Sequence, residues 1–246
     1  MRLDKFLTIK GIGSRSEVKK IIKKGSVQVN GQTIYKPEFQ LQFKEDCLTD
    51  KVVCDGRLLT YEKYVYYMLN KPAGVISATE DSSQKTVLQL IKNPDKDLFP
   101  VGRLDKDTEG LLLITNHGRL GHDLLSPKKH VEKQYYVTVR DKLEKNIILE
   151  FAAGIVIRDK AKNEAFVKLM PAQLELIDDY HCYVTIQEGK YHQIKRMFAA
   201  VGNEVLYLKR IRMGAISLDK NLALGEYRKL TENEKRLLGL EKENNH

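Results

Sequence analysis

Apolar side chains at Leu3, Phe6 and Leu7 recur at helical spacing until Gly11-Ile12-Gly13 interrupts them. The pattern resumes with Val18, Ile21 and Ile22 behind Ser14-Arg15-Ser16-Glu17. That tetrapeptide reads as a capping box, with the serine hydroxyl accepting from the amide of residue 17 and the glutamate reaching back to the amide of Ser14. The spacing predicts a helix, a turn and a second helix stopped by Gly25. Val27-Gln28-Val29 then alternates with period two, and Asn30-Gly31 predicts a tight hairpin. Residues 48–62 form a mixed connector with a turn at Asp55-Gly56.

From Tyr64 the character changes. VYYMLNKPAGVISA reads as an apolar strand, a Lys-Pro-Ala-Gly turn and a second short strand. Residues 79–99 are polar, with helix expected around Val87 to Ile91. The run Leu111 to Ile114 predicts a buried strand, and further strands are expected near 134–140, 153–157, 163–169, 182–187, 204–211 and 214–218. A helix is expected near 190–201, where Ile194, Met197, Phe198 and Val201 form one apolar stripe. Thr231-Glu232-Asn233-Glu234 repeats the capping-box pattern ahead of a last helix. Many strands without regular strand–helix alternation predict an α+β protein with a mainly antiparallel sheet. The expected division is a small module at 1–60 and a larger domain at 61–240.

Composition narrows the classes. The chain has 246 residues, of which 42% are hydrophobic and 30% charged, a globular balance rather than a disordered one. Cys47, Cys54 and Cys182 are too few and scattered for a disulfide framework or a zinc ribbon. Neither a secretory leader nor a membrane-spanning run is read in the sequence, so a soluble, cytoplasmic protein with no membrane partner is expected. The net charge of +9 is concentrated rather than scattered. Residues 1–36 hold nine Lys or Arg against Asp4 and Glu17. A second cluster, Lys190, Lys195, Arg196, Lys209, Arg210 and Arg212, faces Glu204 alone. Two such patches point to a polyanionic partner, most simply nucleic acid. Arg2, Lys5, Arg15, Lys19, Lys20, Lys23 and Lys24 are the candidate RNA contacts of the first. Lys209, Arg210 and Arg212, on an expected strand, suit a groove that follows phosphates.

The segment GRLDKDTEGLLLITNHG, 102–118, carries three carboxylates in five positions. Asp105, Asp107, Glu109 and Gly110 match the start of a calcium-binding loop, but the position that needs a bidentate Glu holds Asn116, and Leu111 to Ile114 belong to a strand. A metal role is rejected. Two readings remain: a polar loop entering a buried strand, whose carboxylates have no special role, or a carboxylate held rigidly between Gly102, Gly110 and that strand, with Arg103 beside it, as a catalytic nucleophile or base must be. His192 lacks the neighbours a metal ligand needs and reads as a hydrogen-bonding group. Phosphate-binding glycine loops, serine-hydrolase elbows and paired-cysteine motifs are missing.

The order GRLDKDTEGLLLITNHG, KQYYVTV, EGKYHQIKRMF, YLKRIRMG and GEYRKL resembles the RsuA/RluB/RluE/RluF family of ribosomal RNA pseudouridine synthases over nearly the whole chain. The resemblance implies an isomerase that converts uridine to pseudouridine without cofactor or metal. It also implies an N-terminal alpha-L RNA-binding domain and a mixed-sheet catalytic domain. Asp105 matches the catalytic aspartate and Tyr135 the active-site tyrosine. Lys195 matches a basic partner of the aspartate, and Arg103 the residue that displaces the target nucleotide. Lys71 lies in a family loop beside the cleft, and His192, Gln193 and Arg196 in the motif that borders it; all four are expected to face RNA. Asp107 and Glu109 are expected to be loop polarity only. The likeness is nearest to the RsuA branch, which implies 16S rRNA or a small-subunit assembly particle as partner and a monomeric enzyme. A large-subunit 23S synthase and a non-enzymatic RNA-binding assembly factor are the alternatives.

Overall fold

The computed structural model describes residues 1–44, 47–92, 97–159 and 165–240, and the chain divides into two compact units, the first spanning Met1–Tyr64 and the second beginning at Val65.

The first unit starts with α1 (Leu3–Ile9) and α2 (Arg15–Lys23). Both reciprocal bonds of the Ser14–Glu17 capping box are present, Glu17 N to Ser14 Oγ at 3.4 Å and Ser14 N to Glu17 Oε2 at 2.8 Å. β1 (Val27–Val29), β2 (Gln32–Thr33), the short pair β3 (Phe43–Lys44) and β4 (Cys47–Leu48), β5 (Val52–Cys54) and β6 (Arg57–Leu59) follow. The main sheet runs β2-β1-β5-β6. Its two hairpins turn at Asn30-Gly31 and Asp55-Gly56, where all four residues have positive φ, as the tight primed turns require. Leu3, Phe6, Leu7, Val18, Ile22 and Val27 are completely buried, so the apolar stripes of both helices close on this sheet. Lys19, Lys20, Lys23 and Lys24 stay exposed on α2.

The second unit is built on one large sheet. In chain order its elements are β7 (Tyr66–Lys71), β8 (Phe99–Pro100), β9 (Glu109–Thr115), α3 (Gly118–Leu125), β10 (Lys133–Val139) and α4 (Ile147–Ala153). They continue with β11 (Val156–Asp159), β12 (Ala165–Lys168), β13 (Gln173–Leu176), β14 (His181–Ile186) and α5 (Gln193–Ala200). β15 (Val205–Met213), β16 (Ile216–Ser217), β17 (Tyr227–Lys229) and α6 (Glu232–Leu237) complete it. The sheet order is β13-β14-β10-β15-β9-β7-β17, with β16 on β15 and β8 on β9, while β11 and β12 form a separate hairpin. Among the described residues, β15 with β9 is the parallel pair of the large sheet and the other pairings are antiparallel.

β10 alternates buried and half-buried positions along its length, which gives the sheet two distinct faces. Tyr135, Val137 and Val139 join Phe151 of α4 and Ile194, Met197 and Phe198 of α5 in one core. Leu111 and Leu113 of β9 pack with Leu120 and Leu124 of α3 in another.

Several local expectations change. The strand expected near 153–157 is the end of α4 followed by β11, because Ile147 and Phe151, four apart, bury one helical face. Helix around Val87 to Ile91 shrinks to a single 3-10 turn, Val87–Leu90. Residues 163 and 164 of the strand expected near 163–169 lie outside the described residues. No helix among the described residues is long and apolar enough to cross a membrane.

Candidate active site

Asp105 sits in the loop between β8 and β9, and that loop is fixed from below by a buried cation. Lys71, at the end of β7, is fully buried. Its Nζ donates to the backbone carbonyls of Thr108 (2.8 Å), Pro72 (3.1 Å), Asp105 (3.1 Å) and Lys106 (3.3 Å). Burial pulls the Lys71 ammonium down to about 8, against the opposing pull of Asp107, Asp105 and Glu109. Ser77 pins the other side: its Oγ donates to the Leu104 carbonyl and accepts from the Leu104 amide, both at 3.0 Å. Gly74 N donates to Lys106 O at 2.8 Å, and Thr108 N closes the turn onto Asp105 O at 3.1 Å. The backbone on both sides of Asp105 is therefore tied down by hydrogen bonds, which is how a loop acquires the rigidity of a regular element.

The far end of the loop is locked by Gly110. It has φ +100°, and a Cβ there would lie 2.2 Å from the Arg210 carbonyl. Only glycine allows β9 to approach β15 so closely at the point where their parallel pairing joins Arg210 to Gly110.

The Asp105 carboxylate opens into a small cleft lined by Arg103, Tyr135, Ile186, His192, Ile194 and Leu208 among others. Tyr135 comes from β10, where a register shift between Gln134 and Tyr135 against β15 re-aims the strand. Ile186 and Leu208 form apolar walls from β14 and β15. His192 precedes α5 with φ 50°, in the left-handed region. Its ring stacks on Tyr191 with centroids 3.8 Å apart, and its Nε2 lies 3.6 Å from Asp105 Oδ1. Arg103 is exposed at the rim.

Five sequence expectations need correction. Lys195 does not pair with Asp105: its Nζ lies 2.6 Å from Asp107 Oδ1 and also bonds Oδ2. Burial pushes the Asp107 carboxyl up, but Lys195 outweighs it and holds the group below the ordinary carboxylate range. The side chain beside Asp105 is His192 instead. Lys71 faces no RNA, since its ammonium is consumed by backbone carbonyls. Arg210 is also buried, with Nε donating to the Leu111 carbonyl at 2.8 Å. Gln193 is buried too, its amide donating to Glu188 and accepting from Lys190 N. Glu109 is more than loop polarity, because it accepts from the Tyr207 hydroxyl at 2.7 Å. Burial and this carboxylate push the Tyr207 phenol above its ordinary range.

The remaining candidates fall into two groups. Lys5, Arg15, Lys19, Lys20, Lys23 and Lys24 are exposed on the first unit, while Arg2 is tied to Asp4 by two hydrogen bonds. In the second unit Arg196 bonds the Tyr191 carbonyl at 3.1 Å, Lys209 is half-buried, and Arg212 pairs with Glu132 at 3.0 Å. Ser77 and Thr108 carry no local sequence signal as site residues, because their roles depend on contacts with distant backbone. No group of three or more His, Cys, Asp or Glu side chains among the described residues is arranged to hold a metal ion.

The cleft of the mixed sheet thus brings together an anchored carboxylate, an arginine and a tyrosine, and the first unit carries an exposed basic helix. The chain belongs to the RNA pseudouridine synthase family: residues 65–200 match the RNA pseudouridylate synthase model and residues 1–47 the S4 domain model. It is 48% identical to the uncharacterized RNA pseudouridine synthase YtzG of Bacillus subtilis, over 97% of this chain and 98% of that one. It is 43% identical to the ribosomal small subunit pseudouridine synthase A of Vibrio cholerae, over 95% and 97% of the two chains. A crystal structure of a pseudouridylate synthase superposes with a TM-score of 0.66 at 40% identity, covering 97% of this chain and 99% of that one. The protein is an isomerase, and its S4 domain binds RNA.

Proposed function

We propose that this synthase isomerises one uridine of small-subunit 16S ribosomal RNA, acting on the RNA or on a small-subunit assembly particle, with Asp105 as the catalytic residue. The observation that carries the chemistry is Asp105 in a cleft walled partly by Ile186, Ile194 and Leu208, its backbone held by Lys71 and that of the preceding Leu104 by Ser77. The choice of RNA rests on full-length likeness to small-subunit synthases.

The reaction breaks the bond between C1′ and N1, turns the uracil, joins C1′ to C5 and releases the C5 hydrogen as a proton to solvent, while N1 takes up a proton. Each of these atoms is inaccessible in a stacked helix, so the nucleotide must leave it. Arg103, exposed at the rim, fills the space left behind. Tyr135 lies against the base and Ile186 and Leu208 exclude water from its other side. Asp105 acts on the sugar, as nucleophile at C1′ or as base toward C2′. His192 Nε2 stands 3.6 Å from its carboxylate. Lys195 acts at one remove, by fixing Asp107 two residues beyond. The exposed lysines of α2 supply affinity for the RNA backbone.

Carbodiimide mapping of pseudouridine in ribosomal RNA tests this reading, in cells lacking the gene and complemented with wild type or Asp105→Asn. One 16S pseudouridine lost with the gene and restored by wild type alone is expected. Restoration by Asp105→Asn would remove Asp105 from the chemistry, and loss of a 23S pseudouridine instead would transfer the enzyme to the large subunit.

A further inference from the structure

Beside the active cleft lies a second groove that the reaction does not use. It runs between α5 and the β11–β12 hairpin, encloses about 600 Å³, and is lined by Val156, Arg158, Phe166, Tyr191 and Arg196 over a floor of Ala199 and Ala200. Two aromatic side chains face solvent there: Phe166 is 70% exposed and Tyr191 69%. A folded chain has no reason of its own to present two open rings about one groove. Both are accompanied by guanidinium groups. Arg158 pairs directly with Phe166 across the hairpin and lies 5.3 Å over its ring. Arg196 bonds the Tyr191 carbonyl through one terminal nitrogen, and its other terminal nitrogen is buried without a hydrogen-bond partner among the described residues.

Aromatic faces interleaved with arginines form the surface that single-stranded nucleic acid uses, with bases on the rings and phosphates on the cations. The groove also borders the active cleft. His192 lines both, facing Asp105 on one side and stacked on Tyr191 on the other.

We infer that the α5–hairpin groove binds the unpaired nucleotide adjacent to the flipped uridine, stacking its base on Phe166 and Tyr191 and meeting its phosphate with Arg158. The inference rests on the proposed action on RNA at Asp105. It adds that the enzyme takes the target from a single-stranded context and reads at least two consecutive nucleotides. Since a ring accepts any base, the groove supplies affinity and register rather than base choice.

Phe166 and Arg158 are the clean probes, because Tyr191 also supports His192. With full-length enzyme and protein-free 16S transcript carrying tritium at uridine C5, isomerisation is read as tritium release. Phe166→Ala is expected to raise KM about 10-fold with kcat within about two-fold. Phe166→Tyr should restore KM, and Arg158→Gln should raise KM and reduce its salt dependence. An unchanged KM in Phe166→Ala overturns the inference. So does a defect that appears with assembly particles but not with protein-free RNA, which would assign the groove to a ribosomal protein. A second readout does not depend on turnover: single-stranded RNA containing 5-iodouridine is photo-crosslinked to the full chain and the adducts mapped by mass spectrometry. Adducts on Phe166 or Tyr191 support the groove, and adducts confined to other segments refute it. If wild type releases tritium neither from protein-free 16S RNA nor from assembly particles, the proposed substrate fails, and the crosslink still decides the groove.

Discussion

Lys71→Met removes the cation beneath the catalytic loop while keeping an unbranched stem of similar length. Four carbonyl oxygens lose a donor, at 2.8 to 3.3 Å. The bond to Thr108 is fully buried and has no replacement, whereas the other three lie in half-buried surroundings that water can reach. One hydrogen bond from a charged donor is worth about 1.5–3 kcal/mol, so a loss of about 2–3 kcal/mol is expected at pH 7. The pH dependence carries a sign. The folded ammonium is lowered from 10.5 to about 8, so between these values the unfolded chain binds more protons than the folded one. Wild-type stability therefore rises with pH through that window, by about 2 kcal/mol between pH 7 and 9.5, and Lys71→Met lacks this gain. The difference between the two proteins, measured by urea unfolding of the second unit, should widen from pH 7 to 9.5. Catalysis should suffer more than binding: a loop free to shift by about 1 Å costs about 100-fold in rate, with KM little changed. A stability difference that narrows with pH, or a variant with wild-type kcat, refutes the assignment of Lys71 as the anchor of Asp105.

Three other outcomes follow from the geometry. Gly110→Ala places a methyl group 2.2 Å from the Arg210 carbonyl at φ +100°, and should cost more than about 3 kcal/mol, read as a lowered melting temperature of the second unit. Lys195→Gln should return the Asp107 carboxyl toward the ordinary carboxylate value, seen by NMR titration. Because Asp107 is 70% exposed, stability should fall by no more than about 1 kcal/mol, a contribution present above the ordinary value and lost as pH falls through the depressed one. Replacing Lys19, Lys20, Lys23 and Lys24 with Gln should weaken RNA binding and flatten the plot of log affinity against log salt by about 0.7–0.9 for each phosphate left unneutralised. An unaltered slope would show that the α2 face does not touch the backbone.

Legibility from sequence follows how local each cause is. Ser14–Glu17, Thr231–Glu234 and Asn30-Gly31 satisfy their backbone partners within a few residues, so the helix starts and the hairpin are readable. α3 escapes a sequence reading because it opens with Gly118 after His117, which makes no capping bond, and carries a glycine at 121. Polar residues whose partners are distant backbone look like surface. Lys71 and Arg210 have the composition of an RNA contact, and only the fold reveals the carbonyls they serve. Lys195 falls to the wrong carboxylate for a similar reason: Asp105 and Asp107 are two residues apart, and the turn between them points their side chains to different neighbours.

The position of β15 bears on how the protein is made. It inserts between β9 and β10, strands synthesised well before it. Until Met213 has emerged from the ribosome, β9 and β10 cannot be joined, and Gly110 has no strand to press against. The first unit closes its own core within 64 residues and has no such delay. Synthesis from the N-terminus thus yields an RNA-binding module first and a working isomerase late. During that interval the nascent chain can hold RNA but cannot modify it.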